Sequence, residues 1–390
     1  MRNAGNSAVR RSAKPRMKKS IFEQIRENAG TMDFQFLITV YILVAFGLIM
    51  VLSASSPTAY AHAVSKHDSL YYFKRQFLWM IVGTVGLVFC SNFDYKRLGK
   101  LSTAVLLGSL GLLVLVLIPG VGTTRNNATR WLFGFQPSEA AKFAIILFFS
   151  YSLSKNYQNL KYFWKGLVPY LLVVGVFAAL LMLEPHFSCT MLIAFTAVLL
   201  LYTAGAKVKH FLLLGAPAIP AIGALIYFEP YRMARVTSFL NPFADIQGDG
   251  WQIVQSLYAI GSGGLFGVGL GKSRQKFLNI PEPQNDFIFS ILAEELGLLG
   301  AILMVVLFMF LIIRGIRIAS KAPDLFGTLL ATGIIGLIAI QTVLNIAVVT
   351  SSMPVTGMPL PFFSYGGTAL AINMTEMGIV LNISRQSRTL

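Results

Sequence analysis

Charged residues, cysteines and histidines are scarce in this chain. Of its 390 residues 12% are charged, 16 are acidic, and only two are cysteine and four histidine. A soluble domain carries about a quarter of its residues as charges, so the composition excludes an ordinary soluble enzyme. Cys90 and Cys189 lie in or beside apolar runs, which excludes a disulfide framework. The scattered histidines indicate no metal site.

Long apolar runs take the place of the missing charges. The chain is 55% hydrophobic, with a mean hydropathy of +0.67. A membrane-spanning helix needs about 20 apolar residues, and runs of this length satisfy their backbone groups in lipid only as helices. We predict an all-α polytopic integral membrane protein with about ten transmembrane helices, at residues 35–55, 76–93, 101–118, 138–154, 167–183, 188–205, 211–228, 287–313, 325–348 and 367–384.

The basic residues predict how these helices are oriented. Most of the 32 Lys and Arg residues fall in alternate connections, and such connections face the cytoplasm. Both termini are then cytoplasmic, and the Gly- and Pro-rich segment 229–285 is a large extracellular loop between helices 7 and 8. The predicted organisation is a disordered basic tail (1–34), a membrane domain (35–384) and a short cytoplasmic tail (385–390). The net charge of +16 reflects topology, and nucleic acid is not an expected partner.

Asp286 ends the long loop immediately before an apolar run. Spacing leaves two interpretations open: Asp286 or Asn285 is a helix N-cap, or Asp286 is a carboxylate that does chemistry at the membrane surface. Glu294 lies about 12 Å deeper at 1.5 Å per residue. Because ionisable groups within spans are costly, we expect Glu294 or Glu295 to hold a neighbouring helix through a polar contact.

The fourth run opens with RWLFGFQPSEAAKFAII. Glu139 and Lys142 are three residues apart and share a helix face. Two interpretations again stay open, because the pair can simply neutralise itself or can form a site with Arg130 at the outer helix end.

The loop before Asp286 contains GSGGLFGVGLGKSRQKF. Its glycine amides, together with Lys272, Arg274 and Lys276, can cradle phosphate. It is not a nucleotide-binding P-loop, because Phe266 stands where that pattern requires glycine. The flexible nature of Gly-rich outer loops is the other explanation.

Between the ninth and tenth runs the chain reads SSMPVTGMPLPFFSYGGTAL. This segment is apolar but full of helix breakers, and such backbone enters a membrane only where protein or a water-filled cavity covers it. We predict a re-entrant or capping loop near the same outer cavity. Asn345, in the ninth run, is expected to make a helix–helix hydrogen bond.

Together these segments resemble the SEDS family (shape, elongation, division and sporulation), ten-span polymerases of bacterial cell-wall glycan. The matching stretches are ATRWLFGFQPSEAAK (128–142), the long stretch from NPFADIQGDG to LAEELG (241–297) and MPVTGMPLPFFSYGG (353–367). The sequence of the long loop is closer to the FtsW and SpoVE type than to the RodA type. Whether the chain acts in division, sporulation or elongation stays open.

The sequence departs from the family pattern in two places. His186 stands where the family often has an aspartate, and Gln284-Asn285 replaces a commoner His-Thr pair. The first departure puts any role transferred to position 186 in doubt, and neither removes Asp286.

The resemblance implies a peptidoglycan glycosyltransferase acting on lipid II, the undecaprenyl-pyrophosphate-linked disaccharide peptide, at the outer face of the cytoplasmic membrane. Asp286 is then the general base on the acceptor hydroxyl. The substrate-binding candidates are Arg130, Glu139, Lys142, Lys272, Arg274 and Lys276, and the supporting candidates are Glu294, Glu295, Pro361, Ser364, Gly366 and Gly367. A divalent cation (Mg²⁺ or Mn²⁺) bridging pyrophosphate and carboxylate is compatible with this set, although no motif requires it.

The partners implied by the resemblance are a class B penicillin-binding protein, which cross-links the glycan, and other division or sporulation proteins. Two other functions stay open, a lipid II flippase and a non-catalytic scaffold for the transpeptidase. Transporters usually place charged sites near the midplane in related repeats, whereas the charges here cluster at one face. A scaffold does not need a full set of acidic and basic site residues.

Overall fold

The computed structural model of the protein describes residues 32–61, 67–125, 128–228, 230–248, 250–277 and 279–387. Its α-helices in chain order are α1 (Phe34–Ala61), α2 (Tyr71–Asn92), α3 (Tyr95–Leu117), α4 (Pro137–Asn156), α5 (Val168–Leu183), α6 (Phe187–Thr203), α7 (Val208–Tyr227), α8 (Pro230–Leu240), α9 (Trp251–Ser262), α10 (Ile288–Ser320), α11 (Leu325–Val349) and α12 (Gly367–Gln386). A 3₁₀ turn (Tyr157–Lys161) and a π turn (Phe163–Leu167) join α4 to α5.

Each of the ten predicted apolar segments overlaps one helix, namely α1 to α7 or α10 to α12. Within the described residues, six stretches are long and apolar enough to cross a membrane: Phe34–Tyr60, Tyr71–Asn92, Tyr95–Leu117, Phe163–Leu183, Ile288–Ser320 and Leu325–Val349. The chain is therefore a largely helical membrane protein. The segment 229–285, predicted as one long loop, contains the two short helices α8 and α9.

Glycines let the helices pack closely around a single apolar core. The most extensive helix pair is α2 with α12. A Cβ placed on Gly378 of α12 would collide with the backbone of Leu87, and one on Gly83 of α2 would meet Met374. Small residues allow such close approach between membrane helices. Around this pair, α4, α10 and α11 bring their buried faces together.

A short antiparallel hairpin departs from the all-α prediction. Strands β1 (Thr123–Arg125) and β2 (Ala128–Trp131) pair Thr124 with Thr129 and Arg125 with Ala128. The strands are too short for alternation to stand out in the sequence, although β-branched threonines favour this conformation. The hairpin matters because β2 carries Arg130.

Helix α10 consists of two segments separated by a break at Gly297, whose φ of 69° and ψ of −168° are not helical. The Gly-rich loop lies in this break. Hydrogen bonds run from Val268 N to Glu294 O (3.0 Å), from Gly269 N to Glu295 O (3.0 Å), from Leu298 N to Gly264 O (2.9 Å) and from Leu299 N to Leu265 O (3.2 Å). Backbone groups that the break would leave unpaired are thus satisfied by the loop.

The start of the membrane domain lies slightly before the predicted boundary. Residues 1–31, and with them most of the predicted disordered tail, lie outside the described residues. Asp33, which the prediction assigns to that tail, is buried. Its carboxylate accepts hydrogen bonds from Arg314 Nη2 at 2.6 Å and from the Phe36 N–H at 3.0 Å, so it fixes the entry to α1.

Candidate active site

A cavity of about 860 Å³ opens where several helix ends meet the segment between α7 and α10. This volume is in the range of small-molecule sites. Its lining includes charged residues (Arg130, Arg235, Glu282, Asp286), polar residues (Ser188, Gln252, Asn285, Thr356) and apolar residues (Met182, Phe187, Met191, Ile226, Val236, Met353). Charge beside apolar surface suits an amphiphilic ligand.

Asp286 lines this cavity two residues before α10 begins. The N-cap of α10 is Phe287, and no side chain makes a capping hydrogen bond there. The N-cap interpretation of Asp286 or Asn285 is therefore wrong, because the helix begins one residue too late for Asp286 to occupy that position. The carboxylate remains at the cavity surface, where it can meet a ligand.

The backbone of Asp286 is held by a buried amide. Asn345 of α11 donates one N–H to Asp286 O at 2.8 Å and another to Met358 O at 2.7 Å. The predicted tertiary hydrogen bond of Asn345 thus exists, although it joins α11 to two loop carbonyls rather than to another helix. It places the Asp286 backbone and the loop before α12 at fixed positions relative to each other.

The surroundings of Asp286 make its carboxyl a stronger base than usual. Burial raises the pKa of Asp286 to about 6, and the neighbouring Glu282 carboxylate adds to the rise. Arg235 and Arg130 act in the opposite direction. A carboxyl with a pKa near 6 is about nine-tenths ionised at pH 7 and accepts a proton more readily than an ordinary aspartate.

Four consecutive residues of the loop between α11 and α12 each lie against a different residue elsewhere in the fold, and three of those residues line the cavity. Val355 O accepts from Arg235 Nη1 at 2.7 Å, and Thr356 O accepts from the Ser188 hydroxyl of α6. A Cβ on Gly357 would lie 3.3 Å from Asp286 Oδ2, and Met358 O accepts from Asn345. We call residues 355–358 the anchor loop, because it sets the spacing between the arginine and the carboxylate.

Arg130 also lines the cavity and lies on β2, earlier in the chain than Asp286. Its Nε donates to Glu184 O at 3.2 Å, and its Nη2 donates to Pro185 O in the turn between α5 and α6. Burial raises the pKa of Glu184 to about 7 against the opposing effect of Arg130. Burial also lowers the pKa of His186 to about 3, so this position contributes a neutral imidazole.

Glu139 and Lys142 form a buried ion pair, with Lys142 Nζ 2.8 Å from Glu139 Oε2. Their side chains are 7% and 4% exposed, and neither lines the cavity. Of the two interpretations, the structure shows the neutralising pair. Glu376 of α12 is buried as well, and its two carboxylate oxygens have no hydrogen-bond partner among the described residues.

The basic residues of the Gly-rich loop have different surroundings from those predicted. Lys276 is buried and pairs with Glu295 at 2.9 Å, and its ammonium also donates to Gly271 O at 2.7 Å and Ser53 Oγ at 3.1 Å. Lys272 and Arg274 are exposed and do not line the cavity. The phosphate-cradle interpretation is wrong for the amides of Gly267 and Gly269, because these N–H groups already donate to Gly263 O at 2.8 Å and to Glu295 O at 3.0 Å.

The two glutamates of α10 hold this loop in place. Glu295 accepts from the Ser53 hydroxyl at 2.7 Å, which is the predicted contact with a neighbouring helix, α1. Glu294 instead accepts from the N–H groups of Arg274 (2.8 Å) and Gln275 (3.4 Å). Both glutamates therefore stabilise the position of this loop.

The predicted supporting residues Pro361, Ser364, Gly366 and Gly367 lie at the start of α12 and in the loop before it. Ser364 donates to Asn285 O at 2.7 Å and accepts from the Leu360 N–H at 2.7 Å, and Pro361 is buried beside them. Gly366 N donates to Gln76 Oε1 at 3.3 Å. A Cβ on Gly367 would collide with the Trp79 ring, so α12 begins in close contact with α2.

Comparison with known proteins places the chain in a family. The family model for cell cycle proteins of the FtsW/RodA/SpoVE type matches residues 34–389. The chain belongs to this family. Stage V sporulation protein E of Bacillus subtilis (strain 168) is 45% identical over 360 residues, covering 91% of this chain and 98% of the relative. A probable peptidoglycan glycosyltransferase FtsW of Geobacter sp. (strain M18) is 41% identical over 360 residues, covering 91% and 97%.

Solved structures agree with the family assignment. A chain from a peptidoglycan synthase complex, described for its structural coordination of polymerization and crosslinking, superposes with a TM-score of 0.75 at 28% identity and covers 92% of this chain and 98% of its own. The rod shape determining protein RodA of Thermus thermophilus has a TM-score of 0.66 at 26% identity, covering 92% and 99%.

In this FtsW/RodA/SpoVE chain, Asp286 and Arg130 line the same cavity, as predicted. The cavity is also lined by Arg235, which the sequence analysis did not identify. Arg235 lies on α8, within the segment predicted to be a loop. Its signal in the sequence is weak: Arg232 and Arg235 are three apart in a short stretch with helical periodicity, but many outer-loop cations share that property.

Proposed function

We propose that this member of the FtsW/RodA/SpoVE family is a peptidoglycan glycosyltransferase that polymerises lipid II into glycan strands for septal or sporulation cell-wall synthesis. The observation that carries the proposal is Asp286, with a pKa raised to about 6, at the surface of a cavity that Arg130 and Arg235 also line. Relatives named for peptidoglycan glycosyltransfer and for sporulation support the substrate class.

In the proposed reaction the acceptor hydroxyl loses its proton to Asp286 as its oxygen bonds to the anomeric carbon of the donor. The bond from that carbon to the diphosphate breaks, and its electron pair leaves on the phosphate oxygen. A glycosidase needs a second carboxyl group to protonate its leaving alkoxide. A diphosphate leaves as a stable anion, so one base and nearby cations suffice, with Arg130 in that second role.

A divalent cation, where one takes part, would neutralise charge on the leaving diphosphate. Within the described residues no group of three His, Cys, Asp or Glu side chains is placed to hold a metal. Asp286 and Glu282 both line the cavity, and Mg²⁺ is commonly bound by one or two carboxylates plus substrate phosphates. These two residues therefore fit a cation that arrives with the substrate.

The proposal includes the placement of the chain. Ten helices, α1 to α7 and α10 to α12, cross the bacterial cytoplasmic membrane, with both termini inside and the cavity at the outer face. The alternating Lys and Arg distribution supports this orientation. We propose a class B penicillin-binding protein as the partner that cross-links the product, in line with the neighbouring structure from a complex that joins polymerization to crosslinking.

The decisive experiment is a polymerisation assay with purified protein, with and without the class B transpeptidase, in the presence of lipid II and Mg²⁺ or Mn²⁺. We expect glycan ladders from the wild type and none from Asp286→Asn, which should retain the wild-type melting temperature. Asp68→Asn is a matched control, because the Asp68 carboxylate makes only exposed contacts, an ion pair with Lys74 and a hydrogen bond from the Leu70 N–H, and exposed ion pairs contribute little.

Ladders from Asp286→Asn equal to those of the wild type would remove Asp286 from the reaction. If neither protein polymerises, while wild-type vesicles move lipid II across the bilayer, the flippase function replaces this proposal. If the transpeptidase needs this chain for its own activity but no glycan is formed, the scaffold function is favoured.

A further inference from the structure

The Gly-rich loop (residues 261–277) carries exposed apolar side chains at its tip, residues 264–270. Phe266 is 79% exposed, and Leu265 and Leu270 are exposed as well. Backbone hydrogen bonds fix the tip against the broken helix α10, so it cannot turn to bury these side chains within the protein. Exposed apolar surface of this kind marks a contact with a partner or a membrane.

The length of α10 indicates how deep the tip lies. After the break the helix resumes at Leu298, and its next charged residue is Arg314. At 1.5 Å per residue this uncharged stretch is about 24 Å long, somewhat less than a hydrocarbon core of about 30 Å. Leu298 N donates to Gly264 O and Leu299 N to Leu265 O, so the tip lies beside the start of the stretch. The tip therefore lies at the edge of the hydrocarbon rather than above the head groups.

The exposed residues of α10 continue the apolar surface of the tip. Leu298, Leu299, Ile302 and Leu303 are all exposed, and on a membrane-spanning helix such side chains meet lipid. The exposed part of the tip adjoins this surface through the backbone contacts at residues 264 and 265. This continuity favours lipid over protein as the partner that covers the tip.

The cations of the loop lie farther from the membrane centre than the tip. Arg274 N donates to the Glu294 carboxylate at 2.8 Å, and Glu294 lies about one helical turn before Leu298. The side chains of Lys272 and Arg274 are exposed, whereas that of Ser273, between them, is buried. The buried serine and the Glu294 contact hold the backbone here, and the two cations face outward.

These two cations differ from the third cation of the loop. Lys276 is buried and is neutralised by Glu295. Lys272 and Arg274 form no ion pair with any residue in the part of the chain that the structure describes, and neither lines the cavity. Their charges are therefore available to a ligand outside the cavity.

An apolar tip with two cations just above it suits the boundary of an anionic membrane. Apolar side chains enter the acyl region there, and Lys and Arg meet the phosphates of the head groups. We propose that the Gly-rich loop is a membrane-binding element for anionic phospholipid, with Phe266 among the acyl chains and Lys272 and Arg274 at the head groups. The lipid recognised belongs to the surrounding bilayer, so this role holds whatever reaction the cavity carries out.

Lipid binding at this loop would act on the segment that follows Asp286. Glu294 and Glu295 belong to that first segment of α10, and both bind the loop through their side chains. A lipid that holds the loop at the membrane boundary thereby also fixes the depth of the segment.

The test measures which lipid lies beside the tip. Phe266→Cys, in a protein that also carries Cys90→Ser and Cys189→Ser, is labelled with bimane and placed in bilayers of phosphatidylcholine and phosphatidylglycerol. Quenching by brominated acyl chains on one lipid or the other, at equal mole fraction, gives the local enrichment of phosphatidylglycerol. We expect enrichment, and a fall of up to about fivefold for each charge removed in Lys272→Gln/Arg274→Gln.

Two controls separate charge at the loop from charge elsewhere. Lys272→Arg/Arg274→Lys should keep the enrichment, because both charges remain. Arg317→Gln removes an exposed cation near the other end of the same helix, so it should leave the enrichment beside the tip unchanged.

Stronger quenching by aqueous iodide than by brominated chains would place the tip in water and overturn the proposal. Enrichment that stays the same in Lys272→Gln/Arg274→Gln would overturn the role of the cations. If that variant also no longer binds the class B transpeptidase, the two cations belong to a contact with an acidic protein surface instead.

Discussion

Asp286 and Glu282 face the same cavity as two acids four residues apart. Glu282 is exposed, and its carboxylate accepts from Asn285 Nδ2 at 2.6 Å. Burial is the larger reason for the raised pKa of Asp286, and the Glu282 charge is the second. Since the base must be ionised to accept a proton, activity should fall as the pH drops through about 6.

Glu282→Gln should move this fall in activity to lower pH. Removing the neighbouring negative charge lowers the pKa of Asp286, so the carboxylate stays ionised further into the acid range. The shift should be a fraction of a pH unit, because burial remains. The pH profile of kcat/KM for lipid II polymerisation measures it, with Asp68→Asn as the control. A shift toward higher pH would contradict the assignment of the acid limb to Asp286.

The buried pair Glu139–Lys142 allows a stability prediction. Lys142→Met leaves Glu139 buried without its cation beside Glu376, and removal of one partner from a buried pair costs about 3–5 kcal/mol. Glu376→Gln should be tolerated, because its carboxylate oxygens have no partner to lose among the described residues. Thermal unfolding in detergent compares the two variants, and equal melting temperatures would show that the pair is not important for stability.

Among single residues, the sequence identifies site candidates where a charged side chain stands next to an apolar run and has no obvious structural role. An aspartate before an apolar run and a lone arginine before a helix stand out, and Asp286 and Arg130 do line one cavity. Arg235 and Lys276 could not be separated by sequence, because both are cations of one long segment. Tertiary folding turns Arg235 toward the cavity and buries Lys276 against Glu295. The catalytic and binding roles themselves stay predictions.

The element that most affects the site is the broken helix α10. Its first segment follows Asp286, and the Gly-rich loop fills the break at Gly297. Gly297 has backbone angles that are essentially restricted to glycine. A Cβ there would also collide with the backbone of Gly267 and Leu265, so loop and helix cannot both keep their positions with any other residue.

Gly297→Ala should destabilise the protein and reduce polymerisation together. The backbone conformation alone costs about 1–3 kcal/mol for a residue with a side chain, and the collision adds to it. Gly261→Ala is the matched control, because a Cβ at Gly261 of α9 has open space around it. Melting temperature and glycan yield are measured for both. A Gly297→Ala protein as stable and active as the control would show that the break is not required.

The long helices could be predicted from the sequence, whereas the helix break, the hairpin and the short helices could not. Apolar run length identifies long helices, and every predicted run coincides with one. The break in α10 was hidden, because glycine is common in membrane helices and does not by itself mark a break. The hairpin β1–β2 was hidden because strands of three and four residues are too short for a pattern. Helices α8 and α9 were missed because they have only 11 and 12 residues, too few to span a membrane, and lie in a segment rich in glycine and proline.

At the scale of the whole molecule, the net charge of +16 and its distribution bear on orientation. Gln247, between α8 and α9, and Lys321, after α10, are both exposed. In intact cells a membrane-impermeant maleimide should label Gln247→Cys but label Lys321→Cys only after permeabilisation. The unsubstituted protein gives the background, since Cys189 is buried and Cys90 half-buried. The opposite labelling pattern would invert the proposed topology.

The anchor loop also restricts which changes in chain length this protein can accept. Residues 355 to 358 each lie against a different residue elsewhere in the fold, namely Arg235, Ser188, Asp286 and Asn345. Insertion or deletion of one residue there would move all four contacts out of register at once, and no local side-chain change could restore them. Active relatives should therefore differ in the amino acids of this segment far more often than in its number of residues.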